Sequence, residues 1–264
     1  MKKVKVLIIR TAGTNCDIET AFAFKKAGAK TELQHIKKIL TDPKMLAKYH
    51  VIALPGGFTY GDDIASGKIL ANEVKYKLKT TFQQFIKSGK LIIGICNGFQ
   101  VLAKSGLLPN IDGSYSSQEV TLSLNDSAKF EDRWVYLKPV QKNNSCVWTT
   151  NMQDVIYLPV AHAEGKFIPK NETVLRTLES NDQIVFKYCN NHGNLDSSYP
   201  ANPNGSIKNV AGICDKTGRI FGLMPHPERH MFFTQHPFWT RIKRRKGDGF
   251  LIFENGIKYA KRLL

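Results

Sequence analysis

The sequence lacks several features that would assign it to a familiar class. No stretch of its 264 residues approaches the ~18–20 apolar residues of a membrane-spanning helix. Its first residues, MKKVKVLII, run directly into an apolar segment and show no cleavable signal. The five cysteines are an odd number without the spacing of a disulfide framework, which favours a reducing compartment. We therefore expect a cytoplasmic protein that does not enter a membrane.

Nucleotide-binding loops are also missing. There is no G-x-G-x-x-G motif, so the sequence gives no support for dinucleotide binding. The stretch from Gly61 to Lys68 is only superficially like a P-loop. Five residues separate Gly61 from Gly67 where the motif has four, and Ile69 stands where a Ser or Thr would hold magnesium. We expect no cofactor on this chain.

Acidic residues are scarce, with 22 Asp and Glu against 38 Lys and Arg, and the formal net charge is +16. Such a charge permits binding to nucleic acid. The lysines are spread along the chain, however, which is typical of a solvated surface and does not favour nucleic-acid binding. The exception is the segment 241–246, RIKRRK, which follows Phe238 and Trp239.

The most informative stretch is residues 91–100, LIIGICNGFQ. Its apolar run predicts a strand buried on both faces, and a helix-like pattern follows at once. Gly94 and Gly98 stand two residues before and after Cys96, the spacing of a nucleophile elbow. Such a turn places the sulfur at a helix N-terminus, which favours a thiolate, and directs the N–H of Asn97 toward an oxyanion. The alternative is a buried cysteine that only packs.

A thiolate nucleophile needs a general base, and the base needs a group that orients it. His226 and Glu228 suit these two roles, because they stand two residues apart after an apparent strand and can project on one side. Pro225 and Pro227 discourage a helix there. With His230, the same residues could instead bind a metal, although a metal site would leave the Cys96 elbow without a role.

Two further alternatives compete for the catalytic roles. His162 and Glu164 form a second H-x-E pair, which is either an alternative base or an edge of the substrate site. Cys189 is a rival nucleophile, but Lys187 stands where an elbow has glycine.

After a predicted strand, residues 55–63, PGGFTYGDD, form either an ordinary Pro-Gly turn or a loop that directs an N–H into a site.

Apolar runs separated by polar segments predict an α/β fold with a doubly wound, mostly parallel sheet. Thr14 and Asn15 are candidate caps of the first helix. Later strands, partly antiparallel, are expected as additions to the parallel core, and we predict a helix at 250–264. The predicted strands are 4–9, 31–36, 50–54, 91–95, 120–124, 134–140, 155–160, 173–178, 184–188, 210–214 and 220–224.

Five segments together resemble the triad-type (class I) glutamine amidotransferases. They are 13–17 (GTNCD), 55–63 (PGGFTYGDD), 94–100 (GICNGFQ), 161–165 (AHAEG) and 224–229 (MPHPER). Within that family they are most similar to the glutaminase subunits of phosphoribosylformylglycinamidine synthases, enzymes of purine biosynthesis. The resemblance runs from residue 13 to residue 229, so we divide the chain into an amidotransferase domain, 1–229, and a basic C-terminal extension, 230–264, that ends in a helix packed on the same domain.

The resemblance implies a flavodoxin-like fold and a catalytic triad of Cys96, His226 and Glu228, without a metal. It implies an oxyanion hole formed by the N–H groups of Gly57 and Asn97. Phe58 and Gln100 are expected near the substrate.

The chemistry implied by the resemblance is hydrolysis of L-glutamine to glutamate and ammonia through a thioester. The ammonia would pass to a separate synthetase subunit, which carries ATP and magnesium and converts formylglycinamide ribonucleotide to formylglycinamidine ribonucleotide. A small accessory subunit is a further expected partner. The alternative is a stand-alone cysteine hydrolase or redox stress protein of the same fold.

We expect the tail 230–264 to be longer than the tail of the compact family members that the resemblance suggests. Five cations in the six residues 241–246 cannot all be buried, because an unpaired buried charge is very costly. Aromatic residues beside cations are typical of an interface anchor and of a nucleic-acid patch alike. We therefore hypothesise that this cluster, with Phe238 and Trp239, helps to dock the synthetase.

Overall fold

A computed structural model describes residues 3–140, 145–242 and 246–264. Its strands are β1 (Lys5–Arg10), β2 (Lys30–His35), β3 (Val51–Leu54), β4 (Leu91–Ile95), β5 (Val120–Ser123), β6 (Glu131–Pro139), β7 (Ile156–His162), β8 (Lys166–Pro169), β9 (Ile184–Cys189), β10 (Val210–Cys214) and β11 (Ile220–Leu223). Its α-helices are α1 (Asp17–Lys26), α2 (Ile36–Thr41), α3 (Lys68–Asn72), α4 (Lys79–Lys87), α5 (Asn97–Ser105), α6 (Glu172–Ser180) and α7 (Phe250–Ala260).

Within these ranges, one nine-stranded sheet runs in the order β2-β1-β3-β4-β11-β10-β9-β6-β7. The first five strands in this order are parallel to one another. The remaining four join by antiparallel pairing. The predicted α/β class, with a parallel core and added antiparallel strands, is confirmed.

The central strands are apolar along their whole length because both faces of the sheet are covered. Every residue of β3, β4 and β11 is buried. In such a sheet, ligands bind beyond the carboxyl ends of the parallel strands. The segments that follow β1, β3, β4 and β11 therefore meet at one edge, and they carry most of the predicted site residues.

The predicted strand at 173–178 is wrong, because this segment lies in α6. The side chain of Asn171 caps the helix by accepting a hydrogen bond from the N–H of Val174 at 2.9 Å. Val174, Leu175 and Leu178 are buried, which is the spacing of a helix face. The Thr and Val residues suggested a strand, but the cap and the helical spacing decide the structure.

Two other local predictions are corrected. Neither Thr14 nor Asn15 caps α1, since the residue before the helix is Cys16 and no side chain caps it. The hydroxyl of Thr14 instead accepts a hydrogen bond from the N–H of Thr11 at 3.0 Å. The short strand β8 was not predicted, and it pairs with β5 as a separate two-stranded sheet.

The C-terminal helix packs on the core of the fold. α7 ends at Ala260, and Lys261–Leu263 continues as a 3₁₀ turn. The ring of Phe253 packs edge-on against Phe24 of α1, with ring centroids 4.9 Å apart. The domain boundary at residues 229–230 stays a prediction. Among the helices of the described residues, none combines the length and apolar character needed to cross a bilayer.

Candidate active site

Cys96 stands between β4 and α5 with φ 51° and ψ −106°, a backbone conformation that residues with a side chain rarely adopt. Its N–H donates to the carbonyl of Leu223, at the end of β11, at 2.8 Å. The side chain is 5% exposed, and its thiol donates to the carbonyl of Ala161 at 3.6 Å. The cysteine therefore lies at a strained strand-to-helix turn of the kind that the sequence predicts.

The two glycines of the elbow are required by close contacts. A Cβ on Gly98 would lie 1.9 Å from the carbonyl oxygen of Leu54, at the end of β3. A Cβ on Gly94 would lie 2.5 Å from the carbonyl oxygen of Gly98. Any side chain at either position would force α5 away from the sheet and displace Cys96.

His226 and Glu228 form a buried hydrogen-bonded pair. The Nδ1–H of His226 donates to Oε1 of Glu228 at 2.7 Å, and the two side chains are 2% and 0% exposed. The 3₁₀ turn Pro227–Arg229 brings the carboxylate back toward the ring. The other ring nitrogen, Nε2, is buried and has no hydrogen-bond partner among the described residues. That nitrogen is available to exchange a proton.

The charge of His226 depends on its neighbours. Burial disfavours the imidazolium, but Glu228 and Cys96 favour it more strongly and raise the pKa of His226 well above its usual value. The thiol of Cys96 is therefore one of the groups that favour the charged form of His226. A thiolate and an imidazolium can therefore stabilise each other here.

Three residues that were not assigned roles from the sequence surround the base. The thiol of Cys16 lies 3.9 Å from Nδ1 of His226, and burial raises the pKa of Cys16 to about 11. Arg229 donates to the sulfur of Cys16 at 3.2 Å and to Oε1 of Glu19 at 3.0 Å. The motif GTNCD contains Cys16, but nothing in the sequence connects it to Arg229.

The residues that could bind a metal in the structure differ from those that the sequence suggests. Among the described residues, the ligand-type atoms that lie within 4.8 Å of one another belong to Cys16, Glu19, His226 and Glu228. His230 is not among them, and its Nδ1 hydrogen-bonds to the carbonyl of Tyr157 at 2.8 Å. The guanidinium of Arg229 contacts both Cys16 and Glu19 and already supplies positive charge within this cluster.

His162 and Glu164 do not form a second pair. Nδ1 of His162 contacts Oδ1 of Asn125 at 3.1 Å, and burial lowers the pKa of His162 to about 3. The carboxylate of Glu164 turns away and forms an ion pair with Lys104 at 3.2 Å. A neutral amide cannot stabilise an imidazolium as a carboxylate does, so His162 is poorly suited to be the base.

The glycine loop after β3 contacts both the base and the elbow. A Cβ on Gly56 would lie 2.7 Å from Cε1 of His226, so only glycine allows the ring to approach the loop this closely. Gly57 has φ 140°, another conformation that favours glycine. Two residues later, the N–H and hydroxyl of Thr59 donate to Oδ1 of Asn97 at 3.2 and 2.8 Å.

The two predicted substrate-binding side chains lie in different environments. Phe58 is 43% exposed, and its ring centroid is 6.3 Å from that of Phe130. Gln100 is 3% exposed, accepts a hydrogen bond from the amide of Asn97 at 2.9 Å and donates to the carbonyl of Glu164 at 2.6 Å. An amide group can form further bonds beyond these two.

Cys189, the rival nucleophile, lies in β9 and has none of these surroundings. It is 1% exposed, and burial raises its pKa to about 11, which keeps the thiol protonated. A cysteine at a strained elbow with a His–Glu pair, by contrast, is the arrangement of enzymes that attack a carbonyl carbon through sulfur. This chain combines such an elbow, at Cys96, with such a pair, His226 and Glu228.

Comparisons with known proteins agree with this class. Residues 3–260 match the model of the CobB/CobQ-like glutamine amidotransferase domain. The chain is 49% identical to phosphoribosylformylglycinamidine synthase subunit PurQ of Dehalococcoides mccartyi, over 100% of both chains. It is 42% identical to the subunit of the same name from Archaeoglobus fulgidus, over 99% of both. The chain therefore belongs to the glutamine amidotransferase family and is an enzyme.

A solved structure gives the same result. The chain is similar to a chain in the structure of PurLQS from Thermotoga maritima, with a TM-score of 0.71, 27% identity and coverage of 98% of this chain and 99% of that one. Because the Dehalococcoides relative aligns over all 264 residues, it shares the tail 230–264. The expectation that this tail is longer than in the family is wrong for that relative.

The low pKa of His162 predicts a loss of stability in acid. Its imidazole accepts a proton with a pKa near 6.5 when unfolded but only near 3 when folded. Stability from this residue is therefore fully present above pH 6.5 and falls as the pH drops toward 3. Between pH 7 and pH 5, the free energy of unfolding should fall by about 2 kcal/mol more in the parent than in His162→Gln.

Chemical denaturation at the two pH values measures this difference. His192→Gln, at an exposed histidine, serves as the matched control and should keep the parent's dependence on pH. Equal losses of stability in the parent and in His162→Gln would contradict the assignment of His162 as a buried neutral residue.

Proposed function

We propose that this chain is the glutaminase subunit of a phosphoribosylformylglycinamidine synthase and hydrolyses L-glutamine to glutamate and ammonia. The observation that carries the proposal is the buried hydrogen bond between His226 and Glu228, together with the strained elbow at Cys96. Similarity to PurQ subunits over the whole chain supports the choice of synthase. The same similarity does not favour a stand-alone hydrolase or a redox stress protein.

In the proposed mechanism, His226 takes the thiol proton of Cys96 on Nε2 while Glu228 stabilises the imidazolium. The sulfur attacks the side-chain carboxamide carbon of glutamine, and the N–H groups of Gly57 and Asn97 stabilise the oxyanion. The imidazolium then returns the proton to the leaving ammonia. Water, activated by His226, attacks the thioester and releases glutamate.

Synthesis requires a partner that uses the ammonia. The similar chain from Thermotoga maritima was solved in a structure named PurLQS, and we propose corresponding synthetase and small accessory subunits as the partners here. ATP and magnesium would bind to the synthetase, and this chain would need no cofactor or metal. An odd number of cysteines, five, without the spacing of a disulfide framework suits a reducing compartment, so we propose the cytoplasm as the site of the reaction.

The docking hypothesis concerns the beginning of the basic segment. Phe238 and Trp239 are 52% and 46% exposed and present aromatic surface to a partner. Residues 243–245 lie outside the described residues. Lys246 forms an ion pair with Glu254 at 3.3 Å. We propose that the two aromatic residues and the cations of 241–246 contribute to docking of the synthetase.

The first prediction identifies the nucleophile. A glutamine-mimicking diazoketone should alkylate Cys96, because its elbow is the feature that the other cysteines lack, and peptide mass spectrometry locates the adduct. Cys96→Ala should abolish glutamine-dependent synthesis by the complex and preserve ammonia-dependent synthesis. Alkylation of Cys16, Cys146, Cys189 or Cys214 instead would contradict the assignment.

The second prediction identifies the base. His226→Ala should lower the rate of glutamine hydrolysis by ~10²–10⁴-fold, the usual contribution of a general base. His162→Ala should cost far less, because its ring is held neutral by burial beside Asn125. The two rates are compared in the assembled complex. A larger loss for His162→Ala than for His226→Ala would transfer the role to His162.

The third prediction tests docking. Replacing Arg241, Lys243, Arg244, Arg245 and Lys246 by Ser or Gln should weaken assembly with the synthetase and make it less dependent on salt. Trp239→Ser should weaken assembly at all salt concentrations, because its contribution is apolar. Tyr76→Ser, at a residue 74% exposed elsewhere on the surface, is the control. Assembly equal to that of the parent in both test variants would rule out this docking site.

A further inference from the structure

The segment from Thr59 to Gly67 connects the glycine loop to α3 through an unfavourable backbone path. Tyr60 and Asp62 have φ of 55°, and Gly61 and Gly67 have φ of 73° and 72°. A left-handed conformation is unfavourable for Tyr, although Asp tolerates it better, and it persists where surrounding contacts hold it. The shape of this segment therefore depends on side chains from elsewhere in the fold.

The elbow holds the first half of the segment. The side chain of Asn97 accepts two hydrogen bonds from Thr59, and its amide donates to Oδ1 of Asp62 at 3.0 Å. Asp62 in turn accepts hydrogen bonds from the N–H of Gly67 at 3.1 Å and the hydroxyl of Ser66 at 2.9 Å. Asn97 thus links its own backbone, at the start of α5, to the chain that follows Gly57.

An ion pair holds the second half at Ser66. The ammonium of Lys104, in α5, donates to the carbonyl oxygen of Ser66 at 2.6 Å. The N–H of Ser66 donates to Oε1 and Oε2 of Glu164 at 3.2 and 3.3 Å. Lys104 and Glu164 also contact each other at 3.2 Å. Lys104 and Glu164 are distant in the sequence and opposite in charge, and they therefore bind the carbonyl and the N–H of the same residue, Ser66.

This clasp, defined as Lys104, Glu164 and Ser66, lies away from bulk water. The side chains of Lys104 and Glu164 are 6% and 19% exposed. Burial lowers the pKa of Lys104, while Glu164 favours its charged form. A buried ion pair is seldom more stabilising than apolar side chains of similar size. Its geometry at Ser66 therefore points to a role in positioning.

We propose that the clasp is a positioning device for the oxyanion hole, holding segment 59–67 against α5 so that the N–H groups of Gly57 and Asn97 stay aligned. Lys104 and Glu164 contact no reacting atom in this proposal; they act through Ser66, Asp62 and the side chain of Asn97. The inference rests on the proposed function, because it takes Gly57 and Asn97 as the oxyanion donors. It also gives Glu164 a role separate from that of His162.

Two reactions of Cys96 separate positioning from general stability. Glutamine hydrolysis passes through oxyanions, whereas alkylation of the thiolate by iodoacetamide displaces iodide from a saturated carbon and forms no oxyanion. Loss of the clasp should therefore slow the first reaction and leave the second unchanged. Both are measured on the assembled complex with the synthetase, together with its melting temperature.

Lys104→Met and Glu164→Gln are the test variants. Glu164→Gln preserves the shape of the side chain and keeps the test possible if Lys104→Met folds poorly. Each should lower kcat for glutamine hydrolysis by ~10–100-fold, the scale expected for a misplaced catalytic donor. Alkylation of Cys96 should stay within ~2-fold of the parent, which marks no loss of thiolate reactivity. Lys166→Met removes a neighbouring ion pair with Asp126 and should leave both rates unchanged.

Two results would overturn the clasp alone: an unchanged kcat in both variants, or equal losses in both reactions. An unchanged kcat with a raised KM would indicate lost glutamine binding, not misaligned oxyanion donors. Hydrolysis of glutamine by Cys96→Ala, or none by the parent complex, would instead overturn the proposed function and the clasp with it.

Discussion

The conformation of Cys96 is the constraint on which the site depends. Its left-handed φ of 51° costs about 1–3 kcal/mol in isolation and must be held by its surroundings. β4 and β11 pair beside it, and the N–H of Cys96 bonds to the carbonyl of Leu223. Gly98 lets α5 lie directly on the end of β3. The contacts of the parallel core thus hold Cys96 in a strained conformation, and this conformation places the sulfur at the edge of the sheet.

Electrostatics then distinguishes two histidines that look alike in the sequence. Each belongs to an H-x-E pair, but a 3₁₀ turn returns Glu228 to its histidine, whereas Glu164 pairs with Lys104. His226 gains a carboxylate and a raised pKa, while His162 gains an amide and a lowered one. The local backbone after each histidine, which spacing alone does not reveal, decides which of them can hold a positive charge.

The sequence predicted those features that depend on neighbours along the chain. The buried strands and the Gly-x-Cys-x-Gly turn are of this kind, since periodicity and glycine spacing report local geometry. Residues 173–178 contain Thr and Val and therefore favour a strand, but the cap at Asn171 and the helical spacing of the buried residues make 172–180 a helix. Contacts between distant segments, such as Arg229 with Cys16 and Lys104 with Ser66, could not be predicted, because only the fold brings those residues together.

The central claim is that the elbow thiol attacks glutamine and carries the glutamyl group. Rapid quenching of the working complex with acid, followed by peptide mass spectrometry, tests it most directly. A γ-glutamyl thioester on the peptide that contains Cys96, formed and lost at rates compatible with turnover, is the predicted result. Full turnover without an acyl adduct at Cys96, or with the adduct on another residue, would contradict the account.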